Sequence, residues 1–339
     1  TNHTTNSYAN TADGISIAFN AGVILSNMEF VQFHPTSLEN SNILISESAR
    51  GEGGYLLDEF ENRFIDELKP RDEVARAIYE KIEKNQKVYL DLRHLGIDKI
   101  KELMPQERRL AYDYSNIKIE EQLLPISPAS HYSMGGIKTD INARTNIRNL
   151  FACGECAEAS IHGANRLGGN SLLEIVTFGK IAGINASNDE KNISKIHTLN
   201  KSLKQDEENI NKIYNYSNKI NFYKQKDDIG NLLFNNLGLF RNEEKISTLI
   251  KKIKELNLEI ENMGIADKSK TYNKNLVEFL EFRNILNVAL LASISALNRK
   301  ESRGSHFRLD YPSEMQKYEK NTIIKKVDDK IVVKFEEIV

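Results

Sequence analysis

The stretch that decides the fold is His162-Gly163-Ala164-Asn165-Arg166-Leu167-Gly168-Gly169-Asn170-Ser171-Leu172-Leu173-Glu174. Ser171 and Glu174 have the spacing of a capping box directly before an apolar run. That spacing predicts a helix over 172–182 whose first N–H groups, near Ser171 and Leu172, point outward. Such an end attracts negative charge. Gly168 and Gly169 let the backbone approach a planar or anionic group closely, and Arg166 offers a planar fork suited to a carboxylate. A flavin and an acid substrate both suit that combination. An ordinary capped helix after a glycine turn is the plainer reading of the same residues.

Working outward, 137–140 and 150–153 read as strands separated by a polar turn at 142–146. The run Cys153-Gly154-Glu155-Cys156 has redox or half-metal spacing, but no second cysteine pair completes a metal set. Cysteines after an apolar run are expected to serve as small packing residues. Upstream, 15–22 has helical spacing, 29–33 and 88–92 read as strands and 72–84 as a helix. Downstream of about 186 the chain turns rich in Lys, Asn and Glu, with amphipathic helical stretches at 193–224, 245–263 and 275–300, and an alternating tail at 323–339 that predicts a small terminal sheet.

A chain of 339 residues with 40% hydrophobic residues can bury two or three domain cores. Its 46 Lys+Arg against 48 Asp+Glu leave a net charge of −2, which supplies no field for nucleic acid. The longest apolar run, 288–296, is shorter than the roughly 20 residues a bilayer span needs, so no direct membrane span is expected. The start at Thr1 resembles neither a signal nor a transit segment, and the chain reads as a fragment.

Further segments carry chemistry-bearing side chains. They are Phe-Val-Gln-Phe-His-Pro-Thr at 30–36, Arg-Gly-Glu-Gly-Gly at 50–54, Pro-Arg-Asp at 70–72, Tyr-Leu-Asp-Leu-Arg-His-Leu-Gly at 89–96, His-Tyr-Ser-Met-Gly-Gly-Ile at 131–137 and Arg-Lys-Glu-Ser-Arg-Gly-Ser-His at 299–306. Each alone has a structural reading, as a strand-end histidine, a surface ion pair or a turn. Together and in this order they resemble the flavoprotein subunit of fumarate reductase and succinate dehydrogenase, a family that includes L-aspartate oxidase. The resemblance spans nearly the whole chain. The 299–306 and 89–96 segments point to the reductase and dehydrogenase members, with L-aspartate oxidase of NAD biosynthesis as the alternative. The family's glycine fingerprint and flavin-linking histidine lie upstream of Thr1.

The resemblance implies an α/β FAD-binding domain (partial) with an inserted α+β capping domain and a C-terminal helical domain. The divisions expected are 1–27 with 128–188, 28–127, 189–312, and a small β segment at 313–339. It implies FAD as cofactor, with Glu155, Arg166, Ser171 and Leu172 at flavin-contacting positions and Asp13 at a cofactor position near the adenosine part or the domain hinge. It implies a fumarate/succinate clamp of His34, Ser46, His131 and Arg166, and proton delivery by Arg71 with Glu47 and Arg50 as relay. A free guanidinium holds its proton to about pH 12.5 and above, so that role requires a tight shared network. Position 46 holds Ser where the reductases usually have Thr; either hydroxyl serves a carboxylate. The implied partners are an iron–sulfur subunit and membrane anchor subunits, which would place the chain peripherally at an inner membrane, on its cytoplasmic side with the periplasmic side as the alternative.

Overall fold

The computed structural model describes residues 1–189, 199–217 and 221–338. In chain order the elements are α1 (Asp13–Asn20), β1 (Leu25–Ser26), β2 (Val31–Leu38), α2 (Ser48–Gly51), β3 (Tyr55–Asp58), α3 (Arg71–Glu83), β4 (Val88–Asp91), α4 (Ile97–Leu103), α5 (Pro105–Ser115), β5 (Leu124–Ser133), β6 (Gly136–Lys138) and β7 (Ala157–Glu158). They continue with α6 (Asn170–Asn188), α7 (Leu199–Asn215), α8 (Phe222–Leu237), α9 (Glu243–Ile260), α10 (Lys274–Asn298), β8 (Asn321–Val327) and β9 (Lys330–Glu336).

Two sheets organise the chain, one of order β7-β6-β1-β8-β9 and one of order β2-β5-β4-β3. The expected terminal sheet is therefore a hairpin that joins the first sheet, β8 pairing antiparallel with β1, because Ile323 and Ile324 find their burial beside Ser26 and Leu25. The expected strand at 150–153 is not formed. Asn149 (φ 63°) and Gly154 (φ 76°) take left-handed backbone that breaks the extended run, leaving one bridge between Arg144 and Phe151. Cys153 is half-buried and Cys156 exposed, both as free thiols, so the packing reading fails for Cys156. Among the described residues no His/Cys/Asp/Glu cluster could hold a metal.

Of the helical tail, α7, α9 and α10 fall on the three predicted stretches, whereas α8 lies almost wholly beyond the first of them and was not foreseen; 193–198 and 218–220 of that first stretch lie outside the described residues. By length and composition α10, at 25 residues, is apolar enough to cross a bilayer, which the shorter run read from the sequence did not suggest. Here it packs against α1, α8 and α9 and buries Phe279, Phe282, Leu286 and Leu291 in the main core. A second core, with Leu56, Val74, Ile78, Leu90 and Ile126, lies under the β2-β5-β4-β3 sheet.

Two features of this sheet shape the site. Pro35, which has no N–H to give the ladder, sits where the register shifts between His34 and Ser37. On β5, Gln32 opposes Tyr132 while Phe33 opposes Ser130, so His131 is the extra residue of a bulge, the usual device for re-aiming a side chain. The 299–306 segment then wraps behind the loop at 162–168. Ser305 N–H donates to the Ala164 carbonyl at 3.0 Å, and Arg76 Nη1 donates to the Gly304 carbonyl at 3.0 Å. Gly304 has φ 52°, and a Cβ there would lie 2.6 Å from the Ala164 oxygen, so only glycine lets the two loops touch.

Candidate active site

The carboxylate of Glu47 lies between two arginines. Arg71, the first residue of α3, directs Nε (3.1 Å) and Nη2 (2.5 Å) to Glu47 Oε2, while Arg50 Nη2 reaches Oε1 at 3.2 Å. Arg50 is buried and Arg71 nearly so, whereas the Glu47 side chain keeps 41% of its exposure, so the trio runs from the interior to solvent. Burial loosens the hold of Arg50 on its proton, although Glu47 opposes this. Burial also pushes the Glu47 carboxyl up, but its bonds to Arg71 and the charges of both arginines hold it below the ordinary carboxylate range.

Gln32, which the sequence reading passed over, ties the trio to the glycine-rich loop. Its Oε1 accepts from Arg71 Nη1 at 3.1 Å, and its Nε2 donates to Asn165 Oδ1 and to the Arg166 carbonyl, both at 2.7 Å. Asn165 in turn donates to Asp72 at 2.6 Å. The available signal was the strand period of two, which puts Gln32 on the same face as His34; burial itself does not alternate, since every residue from Gln32 to Leu38 is buried.

Gly168 closes the site from the other side. A Cβ on it would lie 2.7 Å from Glu47 Oε2 and 3.1 Å from Arg71 Nη2. Gly168→Ala is expected to push Glu47 off Arg71 and lower kcat by roughly ten- to a hundredfold with folding intact, on the scale of misplacing a catalytic group by about 1 Å. Steady-state kinetics beside a thermal melt checks this.

The two candidate histidines meet edge to face, with ring centroids 5.1 Å apart. His34 is buried, with Nδ1 3.1 Å from the Thr36 carbonyl oxygen and 3.3 Å from the Thr36 nitrogen; His131 Nδ1 pairs with Thr5 Oγ1 at 2.8 Å. Burial, then His131 and the guanidinium groups of Arg71 and Arg50, holds His34 far below the ordinary imidazole range. Burial, then Arg166 and Arg71, pulls His131 down to about 4. Both rings are therefore neutral at physiological pH. Arg166 stands over the Tyr132 ring, 4.1 Å from its centroid, with its Nε buried and unbonded. Two guanidinium groups thus pair with Glu47, and among the described residues Arg166 beside them has no paired carboxylate, which leaves donors suited to an anion. Ser46 adjoins this cluster in sequence, but its hydroxyl is bonded to Ser48, whose N–H donates at 3.2 Å and whose Oγ donates at 2.9 Å.

The candidate cofactor residues separate. Asp13 and Glu155 line a cavity of about 800 Å³ between the first 15 residues, α8 and α10, within the size range of small-molecule sites. Asp13 accepts from Thr11 Oγ1 and from Asn284 Nδ2 at 2.5 Å. Glu155 accepts from the Ser133 N–H through Oε1 at 2.9 Å, and burial raises its pKa. Arg166 belongs to the arginine cluster, and Ser171 and Leu172 sit in the first turn of α6, with Leu172 66% exposed. The predicted capping box is not formed. The helix starts at Asn170 after Gly169 at φ 82°, and the Leu172 N–H bonds the Gly169 carbonyl at 3.1 Å rather than pointing outward. Glu174 is drawn inward, accepting from Tyr132 Oη at 2.6 Å and lying 2.8 Å from His162 Nε2. Buried partners outcompete a solvent-facing cap.

Comparison with known proteins places these residues in context. Residues 1–172 match the model of an FAD binding domain, and residues 226–339 match that of the fumarate reductase flavoprotein C-terminal region. The fumarate reductase flavoprotein subunit of Escherichia coli is 37% identical over 339 residues, covering 91% of the chain and 56% of that protein. The succinate dehydrogenase flavoprotein subunit of Coxiella burnetii is 35% identical over 333 residues, covering 91% and 57%. A solved E. coli quinol fumarate reductase superposes with a TM-score of 0.92 at 34% identity, over 99% of the chain and 63% of its own. The chain thus spans little more than half the length of these curated relatives.

Proposed function

The chain belongs to the FAD-binding flavoprotein family of fumarate reductases and succinate dehydrogenases, and from that premise we propose that it forms the substrate-handling part of a subunit interconverting fumarate and succinate. The observation that carries the reading is the pair Arg71 and Arg50 on Glu47, with Arg166 and two neutral histidines beside them, a set of donors suited to carboxylates.

The residues fit the family's cofactor. Glu155 uses one carboxylate oxygen on Ser133 and keeps the other for a ligand hydroxyl, and Asp13 shares the same cavity. Asp13 and Glu155 would hold FAD through its hydroxyls, with Ser171 and the exposed Leu172 against its ring system. FAD, when bound, supplies hydride exchange with the substrate carbon.

The chain's residues do the rest. Arg166, Ser46 and the Nε2–H groups of His131 and of His34, the latter in the tautomer whose Nδ1 accepts from the Thr36 N–H, hold the two carboxylates and twist one out of conjugation, which polarises the double bond. Neutral imidazoles serve here because they donate without adding further charge. Arg71 delivers a proton to the carbon next to the one that takes the hydride, so that hydride and proton together add two hydrogens across the double bond, two electrons and two protons in all. Glu47 and Arg50 replace that proton from solvent, and the half-exposed Glu47 is the natural entry point. Electrons would reach the subunit from an iron–sulfur partner with membrane anchor subunits. One solved neighbour is a quinol–fumarate reductase with menaquinol, in keeping with peripheral attachment to a membrane.

The test uses the intact flavin-loaded protein: the flavin is reduced with an artificial donor, and its reoxidation by fumarate is followed beside its reduction by L-aspartate. Reoxidation by fumarate without response to aspartate is expected. Reduction by aspartate would transfer the chain to L-aspartate oxidation.

A further inference from the structure

A buried polar cluster behind Arg166 has no part in the chemistry above. Tyr132 Oη donates to Glu174 Oε2 at 2.6 Å, the same oxygen lies 2.8 Å from His162 Nε2, and Tyr132 Oη is 3.3 Å from that nitrogen. The side chains of His162 and Glu174 keep 6% and 2% of their exposure. The face of the Tyr132 ring, fixed through its hydroxyl, lies 4.1 Å from the Arg166 guanidinium carbon.

What Arg166 lacks gives this arrangement its meaning. Among the described residues no carboxylate lies within ion-pair distance of it. Its one hydrogen bond is a long contact from Nη1 to the Leu167 carbonyl, 3.5 Å, and its Nε is buried without a partner. A carboxylate support would orient the group but neutralise it and occupy the donors needed by a ligand. An aromatic face orients the plane while leaving the edges free, and a desolvated cation–π contact is worth enough to hold it. The hydrogen bond from the phenol to an ionised carboxylate also enriches the ring, strengthening its attraction for the cation.

We infer that Tyr132 and Glu174 are positioning residues for substrate binding: the Tyr132 ring, pinned through its hydroxyl to Glu174, holds Arg166 face-on so that its donors meet a carboxylate of the dicarboxylate with their charge intact. The inference rests on the reading of the site as a dicarboxylate clamp. Malonate is a suitable probe, because it has two carboxylates and no CH–CH bond to oxidise.

In the intact flavin-loaded protein, Tyr132→Leu is expected to raise the malonate Kd by about tenfold or more, in line with losing a desolvated cation–π contact. Tyr132→Phe keeps the face but loses the pin, and Glu174→Gln keeps an acceptor but loses the charge, so each should raise the malonate Kd by about two- to fivefold, less than Tyr132→Leu. In Tyr132→Leu the KM for fumarate should rise more than kcat falls. Equal malonate affinity in Tyr132→Leu and Tyr132→Phe would overturn the inference. A second measurement is independent of any substrate: the Arg166 Nε–Hε resonance in ¹⁵N-arginine-labelled protein should be displaced upfield by the ring in wild type and in Tyr132→Phe. Its appearance at the ordinary arginine position in wild type would overturn the inference even if Tyr132→Leu does not fold. Should wild type not bind malonate at all, the dicarboxylate reading fails, and the Arg166 resonance alone decides whether the ring holds the guanidinium.

Discussion

Replacing Arg71 by alanine should lower fumarate turnover by about 10²–10⁴-fold, the span of a lost general acid, while flavin stays bound. Arg71 is anchored by three of its nitrogens, Nε and Nη2 on Glu47 and Nη1 on Gln32. Lysine, a point charge with one nitrogen, cannot reproduce that fork, so Arg71→Lys should rescue little of the loss. Stopped-flow reoxidation of the reduced flavin measures the rate, and flavin absorbance per chain measures retention. Turnover within tenfold of wild type would remove Arg71 as the proton donor. Glu47→Gln provides the companion measurement, since it keeps the shape of the bridge and removes the charge through which Arg71 and Arg50 share a proton.

Loss of the Glu29 side chain should be the most destabilising single change in the 299–306 region. Arg299 and Glu29 are fully buried and paired at 2.5 Å, and Glu301 accepts from Arg299 at 2.8 Å and from Arg303 at 2.9 Å. Thr322 and Ser295 donate to Glu29 as well. Glu29→Ala leaves the buried Arg299 short of a counter-charge, at a cost of about 3–5 kcal/mol. Urea unfolding measures it, and a change under about 1 kcal/mol would show that the network is not holding this region. Burial pushes the Glu29 carboxyl up, but Arg299 and the two hydroxyls hold it below the ordinary range. A depressed folded pKa means its contribution is fully present above about pH 4.3 and is lost as pH falls through the folded value.

The parts legible in the sequence were those that local chemistry dictates. The helix at α3 follows from Pro70 before it, acidic residues in its first turn and apolar residues at helical spacing. The glycine-rich loop announced a close approach, and the structure supplies its object: Gly168 admits Glu47 and Arg71, which come from the segment before α2 and from α3 respectively. The reading failed where a local signal had a non-local competitor. Ser171 and Glu174 have capping spacing, but Glu174 found Tyr132 and His162, and a buried charge-assisted hydrogen bond outweighs a cap in water. Leu150 to Cys153 look like a strand until the left-handed Asn149 and Gly154 are seen. Gln32 was written inside a quoted motif, yet nothing along the chain says that its amide would bridge Arg71 to the Arg166 carbonyl.

By itself the sequence determined the family, the helices and strands with strong periodicity, and the residue types available for a dicarboxylate and a flavin, because these depend on neighbours within a turn or a motif. Only the tertiary structure decided which side chains face one another: the bulge that turns His131 toward His34, the bridge of Glu47 between Arg71 and Arg50, and the ring beneath Arg166. Those pairings join residues tens of positions apart. Burial and charge, which set their protonation and hold them in place, exist only once the chain has closed around them.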